Sequence, residues 1–267
     1  MSYIIYSVLF FVVFLSIGHK WEMARKKYIP WTIFMVIVGN LVLYGLDSNY
    51  PELHILVKLG LAATIPVVLT ILIISYYFFR DPDRNSPQVE NTILSPADGK
   101  VIYIKEIING EFPLAVKGKN KIPLSDFIND EFIADKGLQI GIAMSFLHVH
   151  VNRSPVKGKV KKIIRVPGAF NSLKHIKSLL ENERVFTQID SADVNVGMVQ
   201  IASRLVRRII SYKKEDEMIG KGERIGIIKF GSQVDLLVDT STLKDVDVEV
   251  EVGQEVKAGL TIVAKYK

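Results

Sequence analysis

Three apolar runs crowd the first 79 of 267 residues, and nothing of their length recurs afterwards. Tyr3 to Ile17 and Trp31 to Leu46 are uncharged, and Leu59 to Phe79 continues for 21 residues. At 1.5 Å per residue the third run reaches roughly 30 Å, the thickness of a bilayer core, whereas the first two fall somewhat short. A cleaved signal peptide would open with a basic stretch and end in a small-x-small site; Met1-Ser2-Tyr3 and the residues after Ile17 supply neither. The expectation is a membrane anchor of about three transmembrane helices over residues 1–79, which also accounts for a mean hydropathy of +0.25.

Charge gives the anchor a direction. The loop from His19 to Lys27 is rich in Lys and Arg, while Asp47 to Glu52 holds no cation. The positive-inside bias then puts the first loop, and everything after the third span, in the cytoplasm at the plasma membrane. Arg80-Asp81-Pro82-Asp83-Arg84 suits a cytoplasmic exit and a Pro-marked break, so the second domain is taken as 80–267. The net charge of +6 is modest. Its densest stretch, Lys157 to Arg165, reads as a surface for anionic lipid or a solvated strand face rather than a nucleic-acid site. With no cysteine, a disulfide framework and Cys-ligated zinc are excluded.

Beyond residue 93 short β-like runs alternate with Gly, Pro and Asp turns: Val101 to Ile104, Leu138 to Ala143, Val160 to Ile164, Val194 to Ile201, Ile225 to Phe230 and Val246 to Val252. Only Ser172 to Leu180 reads as a short helix. The predicted class is mainly β (α+β), a compact sandwich or barrel-like domain, and about 190 residues suffice for one such core. Ser95-Pro96-Ala97-Asp98-Gly99-Lys100-Val101 loosely matches Ser154-Pro155-Val156-Lys157-Gly158-Lys159-Val160. The turns Gly220 to Gly226 and Val252 to Gly259 form a second such pair, with the turn chemistry of lipoyl-type carrier domains but without a displayed carrier lysine in its usual flanks.

Phe230-Gly231-Ser232 carries the chemistry. A Gly-Ser linkage is the least hindered acyl-serine bond, because Gly lacks a Cβ and lets the next hydroxyl approach its carbonyl. Given a base, that serine can attack its own peptide bond. In isolation the pair is an ordinary turn; Asp98 before Gly99 is an ordinary turn residue too, and His150, alternating with Val149 and Val151, has a solvent-facing alternative.

Read together, Arg80-Asp81-Pro82, Ser95 to Gly99, Val149-His150-Val151-Asn152-Arg153-Ser154-Pro155-Val156, Glu181 to Arg184, Gln200 to Arg208 and Gly222 to Ser232 resemble, in order, the short form of the phosphatidylserine decarboxylase proenzymes. The resemblance covers about residues 79–267. It implies cleavage between Gly231 and Ser232 by serinolysis and β-elimination, leaving a large β chain and a 36-residue α chain, residues 232–267, that opens with a pyruvoyl group made from Ser232. It implies a catalytic Asp98, His150 and Ser232: His150 takes the Ser232 proton while Asp98 fixes its tautomer. His148 competes for the base. The pyruvoyl group, the one implied cofactor, would accept the electrons released with carbon dioxide, with no metal. The implied substrate is a membrane serine phospholipid, diacyl or ether-linked archaeal, and the implied partners are the α and β chains of one precursor, with room for a homodimer and no nucleic acid. Two other classes compete: a membrane-anchored, non-catalytic β binding domain, and a phosphotransferase-like carrier that shares the Pro-x-Asp-Gly turn but would need neither Gly231-Ser232 nor the apolar runs.

Overall fold

The computed structural model describes residues 2–20, 25–108, 114–117, 120–123, 132, 136–167, 183–202, 208–229 and 232–267. The chain divides into two compact units, Met1–Phe79 with Ser145–Leu147, and Arg80–Met144 with His148–Lys267.

The first unit contains α1 (Ser2–Lys20), α2 (Arg25–Asn49) and α3 (Ile55–Phe79). Tyr6, Phe10 and Phe14 recur every fourth residue and so share one face of α1. Their ring centroids lie 4.9 and 5.0 Å apart, and they pack with Met35 and Leu43 of α2 and Ala62 of α3. The outer faces carry Ile4, Val8, Ile33, Leu56 and Leu72, all exposed. Helices that are apolar all round suit a lipid surround better than water. Tyr28–Asn49 and Ile55–Phe79 are long and apolar enough to cross a membrane, and Tyr3–His19 is a shorter apolar helix. The second run reaches spanning length because α2 extends beyond Trp31 to Leu46 at both ends.

The second unit is antiparallel β structure: β1 (Thr92–Leu94), β2 (Gly99–Ile108), β3 (Leu114–Lys117), β4 (Asn120–Pro123), β5 (Lys136–Met144), β6 (Val151–Arg153), β7 (Gly158–Val166), β8 (Arg184–Asp190), β9 (Asn195–Ala202), β10 (Arg208–Ser211), β11 (Met218–Ile219), β12 (Arg224–Lys229), β13 (Ser232–Asp239), β14 (Val246–Val248), β15 (Glu255–Val256) and β16 (Ile262–Tyr266). An eight-stranded sheet runs β11-β7-β8-β9-β13-β5-β2-β15, two three-stranded sheets run β1-β16-β14 and β10-β12-β6, and β3 and β4 pair alone. All three larger sheets feed one core. Ile140, Ile142, Val234, Leu236, Val196 and Met198 from the long sheet meet Ile93, Val263, Ile209 and Ile228 from the short ones. The mainly β expectation holds, as a curled sheet closed over by smaller ones. Bulges after Val101 in β2 and after Val160 in β7 supply local bending. The strand expected at Val246 to Val252 ends at Val248, and the helix expected at Ser172 to Leu180 lies outside the described residues.

The paired turns noted in the sequence belong to a duplicated architecture. Gly99 and Gly158 each sit where a Cβ would come 2.3 Å from a carbonyl oxygen, of Ala143 and Asp190 respectively. Glu255 and Val256 pair with Lys100 and Gly99 as Met218 and Ile219 pair with Lys159 and Gly158. The Gly259 N–H donates to the Ser95 carbonyl as the Gly222 N–H does to Ser154, both at 2.8 Å. Strands β1 and β16 share their register irregularity with β6 and β12. The half formed by β6 to β12 is contiguous, and it is inserted into the other half between Met144, the end of β5, and Ser232, the start of β13. The chain therefore returns from one half to the other between Lys229 and Ser232.

Candidate active site

Ser232 opens β13 at the middle of the long sheet, and its register is fixed on both sides, by Met144 of β5 and Ala202 of β9. Phe230 and Gly231, the other side of the expected cleavage, lie outside the described residues. The preceding strand, β12, ends at Lys229 after passing His150, whose carbonyl accepts the Ile228 N–H at 3.2 Å. Ser232 follows Ile228 by four residue steps, at most roughly 14 Å of extended chain. The topology thus brings His150 to the end of the sheet where β13 begins.

His150 is fully buried, 0% exposed, which removes the solvent-facing alternative. Its Nδ1 lies 2.9 Å from the His148 carbonyl oxygen. A carbonyl can only accept, so Nδ1 carries the hydrogen and Nε2 carries the lone pair. Burial pulls the imidazole pKa down to about 4; the bond to His148 and the charge of Asp98 oppose that shift, while His148 and Arg80 add to it. The ring is therefore neutral at pH 7, with a basic Nε2. His148 itself places Nε2 3.0 Å from Glu255 Oε2, tying the segment to β15. Its ring is engaged there, while its carbonyl serves His150.

Asp98 does not perform the orienting role expected of it through a hydrogen bond. Both its oxygens accept from Arg84, at 2.5 and 2.9 Å, and Oδ1 also accepts the Ala258 N–H at 2.8 Å. The tautomer of His150 is set by the His148 carbonyl, and Asp98 reaches the imidazole through its field. Arg84 additionally donates to the Ala258 carbonyl at 2.7 Å. Around it, Arg153 donates to the Pro82 and Gly222 carbonyls, and Arg224 pairs with Asp81 and Asp83. The segment that reads in sequence as a charged linker is thus strapped to the domain, and Arg84, which the sequence showed only as one charge among four, holds the Asp98 carboxylate.

Asn152 follows His150 by two residues on β6, on the same side of the strand. Its Oδ1 accepts from Gln200 Nε2 of β9 at 2.8 Å, and its Nδ2 faces the sulfur of Met144, 4.0 Å away. The strand that follows His150 is in this way fastened to both neighbours of Ser232. Two lysines of the basic stretch face acids, Lys159 with Asp216 and Lys161 with Asp190, as on an ordinary solvated strand face.

The β domain is a duplicated antiparallel architecture with a buried histidine on the segment leading into β6 and Ser232 at the start of its central strand, in a chain with two helices long and apolar enough to cross a membrane. The sequence from residue 71 to 264 matches the phosphatidylserine decarboxylase family, and the chain belongs to that family. It is a decarboxylase of phospholipid metabolism.

Proposed function

We propose that the protein decarboxylates the serine headgroup of a membrane phospholipid, using a pyruvoyl group that it makes from its own Ser232. The supporting observation is the state of His150: Nδ1–H held by a carbonyl, Nε2 left basic, and the ring kept neutral by burial at the end of the sheet where Ser232 begins. In the first step Ser232 Oγ attacks the Gly231 carbonyl carbon and its proton passes to His150 Nε2. The carbon–nitrogen bond then breaks, the proton moves to the Ser232 nitrogen, and an ester replaces the amide. Asp98 steadies the imidazolium through its field, and Arg84 holds Asp98 in place. The residues present fit the group, because a base is available to make it at a serine anchored on both sides. A pyruvoyl group at Ser232 supplies an electron-accepting carbonyl for loss of carbon dioxide. His150 is the residue to hold or move a proton beside it.

The substrate is a serine phospholipid with diacyl or ether-linked chains, since the headgroup chemistry is the same for both. Its tails leave a bilayer at a cost of about 0.8 kcal/mol per CH₂, so a domain anchored on the cytoplasmic side of the plasma membrane meets its substrate at the surface. The working enzyme consists of the α and β chains of one precursor. Intact-mass measurement tests the reading: wild type should give two chains, the smaller being residues 232–267, and Ser232→Ala should give one uncut, inactive chain. Cleavage of the alanine variant at the same bond would sink the assignment.

A further inference from the structure

The two halves of the β domain offer an internal comparison at the positions nearest Ser232. Asn152 pairs with Gly226 in the β6–β12 ladder as Ile93 pairs with Ala264 in β1–β16. Gln200 of β9 corresponds in the same way to Val238 of β13: Val196 pairs with Ile189 as Val234 pairs with Ile142, and Gln200 and Val238 each stand four residues further along. Ile93 and Val238 are both fully buried members of the apolar core. Asn152 and Gln200 are as deeply buried, at 0% and 1% exposure. The architecture therefore accepts apolar side chains at both positions, yet one half holds an amide pair there.

Burying two amides in place of Ile and Val is unfavourable unless their hydrogen bonds are made. Here one of them, the Asn152 donor, is made only weakly. Gln200 donates to Asn152 Oδ1, but among the described residues the Asn152 amide nitrogen has only the Met144 thioether, a weak acceptor, at 4.0 Å. A buried donor with so little to bond lies against the residue that pairs with Ser232, two positions along β6 from His150.

We propose that Asn152, oriented by Gln200, is a further catalytic residue: its Nδ2–H donates to the oxygen that becomes negative when Ser232 attacks the bond before it. The Ser232 proton goes to His150 Nε2, the carbonyl electron pair moves onto oxygen, and the amide stabilises that charge until the carbon–nitrogen bond breaks. Such a donor, fixed in a dry site before the charge forms, acts where it is most effective. Gln200 is a positioning residue, because it keeps the Asn152 oxygen turned away from the developing anion.

This inference rests on the self-cleavage reading above, and the experiment separates the two. The full-length precursor is made in wild-type form, as Ser232→Ala, and as the double variant Asn152→Ile/Gln200→Val, which copies the side chains of the other half. Cleavage is followed by intact mass and folding by thermal melting. Wild type that never cleaves defeats the self-cleavage reading itself. If wild type cleaves, the double variant should melt no lower and cleave at least roughly 10²-fold more slowly. Its accumulated precursor should resist neutral hydroxylamine, which cuts esters and spares amides. A folded double variant that cleaves at the wild-type rate, or whose precursor hydroxylamine cuts at residue 232, overturns the proposal. Should the double variant not fold, Asn152→Asp decides: it keeps the volume and the acceptor for Gln200 but offers no donor to an anion, so slow cleavage in a folded protein supports the role and wild-type cleavage refutes it.

Discussion

An imidazole in water titrates near pH 6.5, whereas burial keeps His150 neutral down to about pH 4. Two consequences follow at the residue scale. With His150 as the proposed base for cleavage, that base remains available in mild acid, so the cleavage rate should hold between pH 8 and 5 and fall only towards pH 4; a rate that halves near pH 6.5 would contradict the burial argument. Stability carries the same signature. The folded pKa lies below the unfolded one, so the unfolded chain binds the proton first as pH falls. The contribution is full above about pH 6.5 and is lost between there and pH 4, amounting to about 3 kcal/mol. Urea midpoints of the Ser232→Ala precursor, with and without His150→Phe, measure it: the phenylalanine variant should lose less stability on acidification. The sequence showed that a histidine stood here. It did not show the shift, because the desolvation that lowers the pKa, and the His148 carbonyl bond that partly opposes it, both come from folding.

At the scale of elements, the strap from Arg80 to Arg84 joins the domain through buried charge. The side chains of Arg84 and Asp98 are each only 7% exposed. Removing one partner strands the other, at a cost of about 3–5 kcal/mol, whereas replacing both with apolar groups costs far less. Arg84→Met and Asp98→Ala should each destabilise the precursor, and Arg84→Met/Asp98→Leu should regain much of the stability without regaining the cleavage rate, as read by melting and intact mass on the same samples. Recovery of both would make Asp98 purely structural. Most long strands were legible from alternation, but β13 was not, although it lies at the sheet centre. Its polar residues look like a solvent face, yet Asp235 is buried beneath Tyr103, Gln139 and Gln233, which all hydrogen-bond to it, and burial pushes its carboxyl pKa up. The two-residue strand β15 lies within a segment that reads as a turn, and β11 just before another, because only their partners, β2 and β7, give them strand character.

For the whole molecule, cutting before Ser232 places β13 to β16 on the small chain. That chain holds the central strand of the long sheet, paired along its length with β5 and β9, and β16, which pairs with β1. The cleaved protein should therefore remain one particle through gel filtration and separate into its chains only in denaturant; release of residues 232–267 under native conditions would contradict this topology. The amino-acid order alone determined the apolar first third and the β class of the remainder, because those are matters of local composition and patterning, and its motifs carried the family resemblance that pointed to Asp98, His150 and Ser232. Tertiary structure decided that one half of the β domain is inserted into the other with Ser232 at the junction, that Arg84 rather than His150 takes the Asp98 carboxylate, and that Asn152 and Gln200 replace apolar side chains beside the site. Each of these depends on strands far apart in the chain becoming neighbours and on water leaving between them, and neither is written in any local run of residues.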